Sequence, residues 1–191
     1  TLTKSTLSSN SCSSGGGGIY NSNTATLTNV TFSNNSGAFG GAIINFNSLT
    51  LTNGTLVNNS STATPNPSGS GIYNFSGTAT LRNTIVANNP GVNCSGTIVS
   101  AGHNLDSANT CHFTGPGDLI NTNPLFGPLA LNAPGSTQTH ALLPGSPAID
   151  KADPATFPAI DQRGIKRPQG AGPDIGAYEF GAGQPPPTPP P

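Results

Sequence analysis

The chain has 191 residues but only 6 Lys+Arg and 7 Asp+Glu, so charged side chains make up 7% where about a quarter is usual. A net charge of −1 and no basic run beyond Lys166-Arg167 leave nothing to neutralise a row of phosphates, so nucleic acid is excluded as an expected partner. Glu occurs once, at Glu179, against 25 Gly and 19 Pro, which excludes long amphipathic helices with charged outer faces; no run approaches the ~18 apolar residues of a membrane span.

Four segments repeat: Leu2–Asn10, Leu27–Asn35, Leu51–Asn59 and Leu81–Asn89, their leading leucines 25, 24 and 30 residues apart. A second element recurs between them as Gly18-Ile-Tyr-Asn21, Ala42-Ile-Ile-Asn45 and Gly71-Ile-Tyr-Asn74. Within each unit apolar residues alternate with Thr, Ser or Asn, the period of short half-buried strands, and turns fall at Asn-Asn and Gly-Gly pairs. This pattern predicts an all-β chain, a right-handed parallel β-helix of about four coils of ~24 residues.

Stacked coils place equivalent residues above one another, about 4.8 Å apart. Asn29, Asn53 and Asn83 then form one candidate ladder. Asn10, Asn35, Asn59 and Asn89 form another, each amide bonding its neighbours above and below. Stacking also accounts for the missing charge, because like charges at that spacing repel. The long third interval is taken up by a loop over 60–68 that carries Pro65 and Pro67.

The coils are expected over 1–92. From 93 to 180 the composition changes, all acidic residues lie from Asp106 onward, and we expect an irregular cap that protects the last coil edge. Residues 181–191 read as an extended Pro-rich tail or linker. Residue 1 falls almost inside a strand, so further coils before it, or another molecule, are expected to cover that edge.

Of three cysteines, Cys94 and Cys111 are 17 residues apart and are expected to pair, in a loop where a disulfide contributes roughly 3 kcal/mol; small buried thiols are the alternative, and Cys12 is left over. Sequons at Asn29, Asn34, Asn53, Asn58, Asn59, Asn74 and Asn93 are what Asn rows beside Thr and Ser generate, with glycans expected only at coil corners.

The segment Thr139-His-Ala-Leu-Leu-Pro-Gly-Ser-Pro-Ala-Ile-Asp150, followed by Asp161-Gln-Arg-Gly-Ile-Lys-Arg-Pro-Gln-Gly170 and Asp174-Ile-Gly-Ala-Tyr-Glu179, closely resembles the choice-of-anchor Q domain of bacterial surface proteins. The preceding units are similar to polymorphic outer-membrane protein repeats. The resemblance implies a secreted β-helix, tethered or assembled outside the cell, without an assigned catalytic site.

Asp161, Arg163, Lys166, Arg167, Asp174 and Glu179 bring both signs together in a chain nearly devoid of charge, and are expected to form a structural ion network holding the C-terminal segment against the last coil. Polysaccharide-cleaving β-helices need acidic groups and a cationic base along the coils, whereas residues 1–105 hold no Asp or Glu and only Lys4 and Arg82 as cations. Asp150 and Asp153 read as a solvated turn rather than a metal site, and His103, His112 and His140 show no ligand spacing.

The expectation is a non-enzymatic extracellular or cell-surface protein without cofactors or metal. It self-associates end to end into a fibre, its Pro-rich tail docking on a neighbour, or forms an adhesive stalk. Glycan binding, with Tyr20 and Tyr73 aligned on one face, or polysaccharide degradation is the alternative.

Overall fold

The computed structural model describes residues 1–62 and 68–181. The prolines of the 60–68 loop and the tail from 182 onward lie outside the described residues.

Among the described residues every regular element is a strand, and no helix is long and apolar enough to cross a membrane. The chain visits three parallel sheets in rotation. A seven-stranded sheet takes β1 (Leu2–Ser8), β4 (Thr24–Ser33), β7 (Ser48–Val57), β10 (Thr78–Arg82) and β13 (Ile98–Ser100) in that order, with β11 (Ile85–Ala87) and β14 (Leu105–Asp106) beside them. A second takes β2 (Ser11–Cys12), β5 (Ser36–Gly37) and β8 (Ser60–Ser61), and a third takes β3 (Ile19–Asn21), β6 (Ile43–Asn45), β9 (Ile72–Asn74) and β12 (Cys94–Ser95). This stacking is consistent with a parallel β-helix.

Register follows the sequence repeat: Leu2 pairs with Leu27, Leu27 with Leu51 and Leu51 with Leu81, while Ile19, Ile43 and Ile72 align in the third sheet. Their side chains build the interior with Val30, Phe32, Leu49, Leu56 and Val86. At Gly17 an added Cβ would meet Gly41 O at 2.3 Å, so only glycine lets successive repeats close up there.

Two left-handed positions bend the backbone in successive repeats. One row is Lys4, Asn29, Asn53 and Asn83, and the other is Ser9, Asn34, Asn58 and Asn88, with φ between 47° and 56°. Asn tolerates this conformation best among residues with a side chain, which explains its abundance.

The stack runs past the boundary expected near residue 92. β12 pairs with β9, β13 with β10 and β14 with β11, although the Leu-Thr-Asn pattern is gone. The Cys94–Cys111 disulfide, with Cα atoms 4.7 Å apart, ties this last level to the segment that follows. Beyond it, residues 102–122 cover the far end through His103 N–H to Pro116 O, Leu119 N–H to Asn104 O and Asp106 N–H to Leu119 O. The antiparallel pair β15 (Phe126–Ala130) and β16 (Thr139–Leu142) then starts a segment that turns back along the stack.

Candidate functional site

The residue after each bend of the second row faces inward. Asn10 Nδ2 donates to Asn35 Oδ1 at 2.9 Å, Asn35 to Asn59 at 2.9 Å and Asn59 to Asn89 at 3.0 Å. Each backbone N–H of the row also donates to the next carboxamide oxygen. The row continues through Asn93 to the buried carboxylate of Asp106. A further ladder, Asn21 to Asn45 to Asn74, stands at the end of the third sheet; its signal in the sequence was the Asn that closes every Ile-x-Asn element.

Asn29, Asn53 and Asn83 behave differently from the ladder expected of them. They are the bend residues themselves, and their amides turn to the C-terminal segment: Asn29 to Ile160 O at 2.8 Å, Asn53 to Gly176 O at 3.1 Å and Asn83 to Thr156 O at 2.9 Å. One bond, Asn83 to Asn53 at 3.2 Å, links members of the row. The physical reason is φ: a left-handed bend points the side chain out of the stack, where the returning chain satisfies it.

The returning chain is therefore a clasp along the side of the stack, not a lid on its last level alone. Thr6, Thr31 and Thr55 are register equivalents, and all three bond it. Gln162 receives the Thr31 hydroxyl at 2.7 Å and donates to Thr6 at 2.8 Å, and Ala177 N–H donates to Thr55 at 2.9 Å. Gly176, at φ 99°, fits where a Cβ would lie 2.8 Å from Ile85 Cδ1.

The clasp is held by the charged residues singled out in the sequence. Arg163 Nη2 lies 2.8 Å from Asp161 Oδ2, and Arg167 Nη1 lies 2.7 Å from Glu179 Oε2; all four side chains are 0% exposed. Arg163 also sits 3.5 Å over the Tyr178 ring. Asp161 accepts the backbone N–H groups of Arg163, Ile165 and Glu179, so it shapes its own turn and ties it to the segment at Glu179. Arg167 donates further to the carbonyls of Asp174 and Gly176, and Glu179 accepts from Gln169 N–H and Asp174 N–H.

Asp174 accepts from Asp150 N–H and Phe180 N–H. Burial, reinforced by the Glu179 charge, pushes its carboxyl up to about 7. Burial likewise lowers the Arg167 guanidinium, against the attraction of Glu179.

Lys166 stays exposed and outside the network. Asp153 is engaged by Arg82 at the surface, and Asp150 by Gly172 N–H, in a shallow cleft of about 360 Å³ shared with His103 and Lys151. His140 is buried between Gly127 O at 2.9 Å and the Ser33 hydroxyl at 3.0 Å, and burial lowers its basicity. Among the described residues no three His, Cys, Asp or Glu side chains converge as a metal-binding group.

Tyr20 and Tyr73 do not touch. Ile44 separates them in register, and Phe46 and Phe75 connect them through ring contacts. The sequence signal missed was the Asn-Phe pair at 45–46 and 74–75. Of the sequons, Asn29, Asn53, Asn59, Asn74 and Asn93 are buried, whereas Asn34 and Asn58 stand exposed at bends.

Chemically, the network buries charge in pairs: its four ionic side chains are fully covered, and each guanidinium faces a carboxylate. No family model, curated protein or solved structure matches the chain.

Proposed function

We propose that this chain is a non-enzymatic structural protein, a right-handed parallel β-helix of about four coils and a terminal level that joins end to end with a second copy of itself. The observation that carries this reading is the asymmetry of the two ends. β1, β2 and β3 each stand at the outside of their parallel sheet, and among the described residues no strand covers their outer edges. The opposite end is covered by residues 102–122. An uncovered row of backbone donors and acceptors across three sheets is a template for pairing with a further level of strands, which a second copy can supply.

A buried ladder, a lateral clasp and a disulfide make the unit stiff. The disulfide favours an oxidising location, outside the cell or on its surface. The resemblance to choice-of-anchor Q surface proteins supports the same placement.

The test is sedimentation velocity over a wide concentration range, with a Ser8→Pro variant beside the parent. Ser9 N–H donates inward to Ser33 O, so the N–H of Ser8 faces the open edge, where proline removes it. Concentration-dependent growth that Ser8→Pro suppresses is expected. A parent that stays at the 19.0 kDa monomer mass throughout refutes self-association.

A further inference from the structure

The four-stranded sheet carries an exposed aromatic strip. Tyr20 and Phe75 are 58% and 59% exposed, and Phe46 and Tyr73 are half-buried beside them. The rings follow in the order Tyr20, Phe46, Phe75 and Tyr73, with centroids 5.0, 4.9 and 5.8 Å apart. Neighbouring planes are tilted by 34° and 43° in the first two contacts, which opens wedge-shaped furrows between them.

The occupant of such a strip is constrained by its surroundings. Residues 5–81 contain no Lys, Arg, Asp or Glu, so nothing there selects a charged ligand. A sugar ring docks flat on an open aromatic face, and here tilts of 34° and 43° between neighbouring rings break the strip into angled facets. Furrows between tilted rings instead suit the ridges of a polyproline II helix, the mode by which Pro-rich segments dock on aromatic-lined grooves.

The chain itself contains that ligand. Residues 184–191 read Gln-Pro-Pro-Pro-Thr-Pro-Pro-Pro, with no charged side chain. A polyproline II helix rises about 9 Å per three-residue turn. That matches the two ring intervals of 5.0 and 4.9 Å from Tyr20 to Phe75. Pro185 to Pro191 would extend about 20 Å, enough for the whole strip.

The tail follows Phe180, whose N–H is bound at the clasp on the seven-stranded sheet, whereas the strip lies on another sheet. We propose that the strip binds residues 184–191 of a second copy, so that tail docking reinforces edge-to-edge association. This rests on the self-association reading above.

The test uses the full chain with a photo-crosslinking benzoylphenylalanine in place of Thr188. Irradiation is expected to give a species of twice the monomer mass, with cross-links mapping to the segment from Tyr20 to Phe75. Phe46→Ser with Phe75→Ser should cut the yield at least about tenfold, as loss of aromatic anchors does. Because that variant alters the folded stack, a second one replaces the six tail prolines with serine, leaves residues 1–181 untouched, and should cut the yield equally. Cross-links mapping elsewhere, cross-links confined to one chain, or protection of the strip by soluble glucans without tail cross-linking each overturn the proposal. Oligomers that persist with cross-links mapping elsewhere lose the docking surface alone; absence of oligomers loses the self-association reading itself.

Discussion

Asn93 donates its side-chain amide to a carboxylate oxygen of Asp106 at 2.6 Å, and this bond terminates the ladder that begins at Asn10. Each carboxamide in the row accepts on one side and donates on the other, so the last donor needs an acceptor that asks for no further partner. Asp106 supplies it, and spends its remaining capacity on Ala108 N–H and Cys111 N–H beside the disulfide. One row of side chains therefore runs from the first repeat to the crosslinked end.

The ladder predicts an unusual order of damage at Asn59. Its Nδ2 faces Phe32 O, Val57 O and Asn89 Oδ1, and its Oδ1 accepts from Asn35. Asn59→Ala leaves these groups unpaired and should cost about 2–4 kcal/mol. Asn59→Asp, though nearly isosteric, turns an anion toward three acceptors and should cost more at neutral pH. Urea unfolding of both variants at pH 7 checks the order; an aspartate variant as stable as the parent would contradict the ladder.

Arg167 predicts failure of a conservative change. Three of its hydrogen bonds, to Glu179, Asp174 O and Gly176 O, need the planar guanidinium fork. Arg167→Met leaves Glu179 buried without its cation and should cost about 3–5 kcal/mol. Arg167→Lys should recover less than half of that. Thermal unfolding, with proteolysis reporting release of the clasp, measures both.

Asp174 gives the clasp a pH dependence of definite sign. Its carboxyl titrates near 7 in the folded chain against an ordinary value of 3.8. Between those values the folded chain keeps a proton that the unfolded chain has lost. The stability contributed by Asp174 is thus full below about pH 4 and is lost as pH rises through 7, by an amount on the order of 2–4 kcal/mol. His140 acts oppositely: its folded basicity is depressed, so its contribution weakens as pH falls below its ordinary 6.5. The check is therefore a difference: the stability of the parent minus that of Asp174→Asn should fall between pH 4 and pH 8. A flat difference would contradict the shift.

The disulfide closes the far end. Replacing Cys94 and Cys111 together by Ala should cost about 3 kcal/mol, and reductant should lower the parent's melting temperature toward that of the variant. Reductant without effect on a parent confirmed to be reduced would show that the crosslink does not stabilise the fold.

Much of the architecture was legible because it is periodic. The Leu and Ile rows, the Asn10–Asn89 ladder and the strand order follow from a repeat that places the same side chain at the same height. The last level, β12 to β14, was not legible, because its strands are two or three residues long, are set by backbone pairing, and carry none of the Leu-Thr-Asn repeat. The role of Asn29, Asn53 and Asn83 was hidden for a related reason. A left-handed bend and an inward ladder both favour Asn, and only the path of the returning clasp separates them. The charged residues of the clasp stood out against an uncharged chain, but which carboxylate takes which guanidinium depends on backbone geometry that no spacing reveals.

The most direct test of the account is cryo-electron microscopy of the full chain at high concentration. Joining through β1, β2 and β3, the uncovered end, predicts head-to-head particles of twice the 19.0 kDa monomer mass, elongated along the stack, whose strands lie across the long axis about 4.8 Å apart. Dispersed 19.0 kDa particles, or paired particles whose strands run along the long axis, would contradict it.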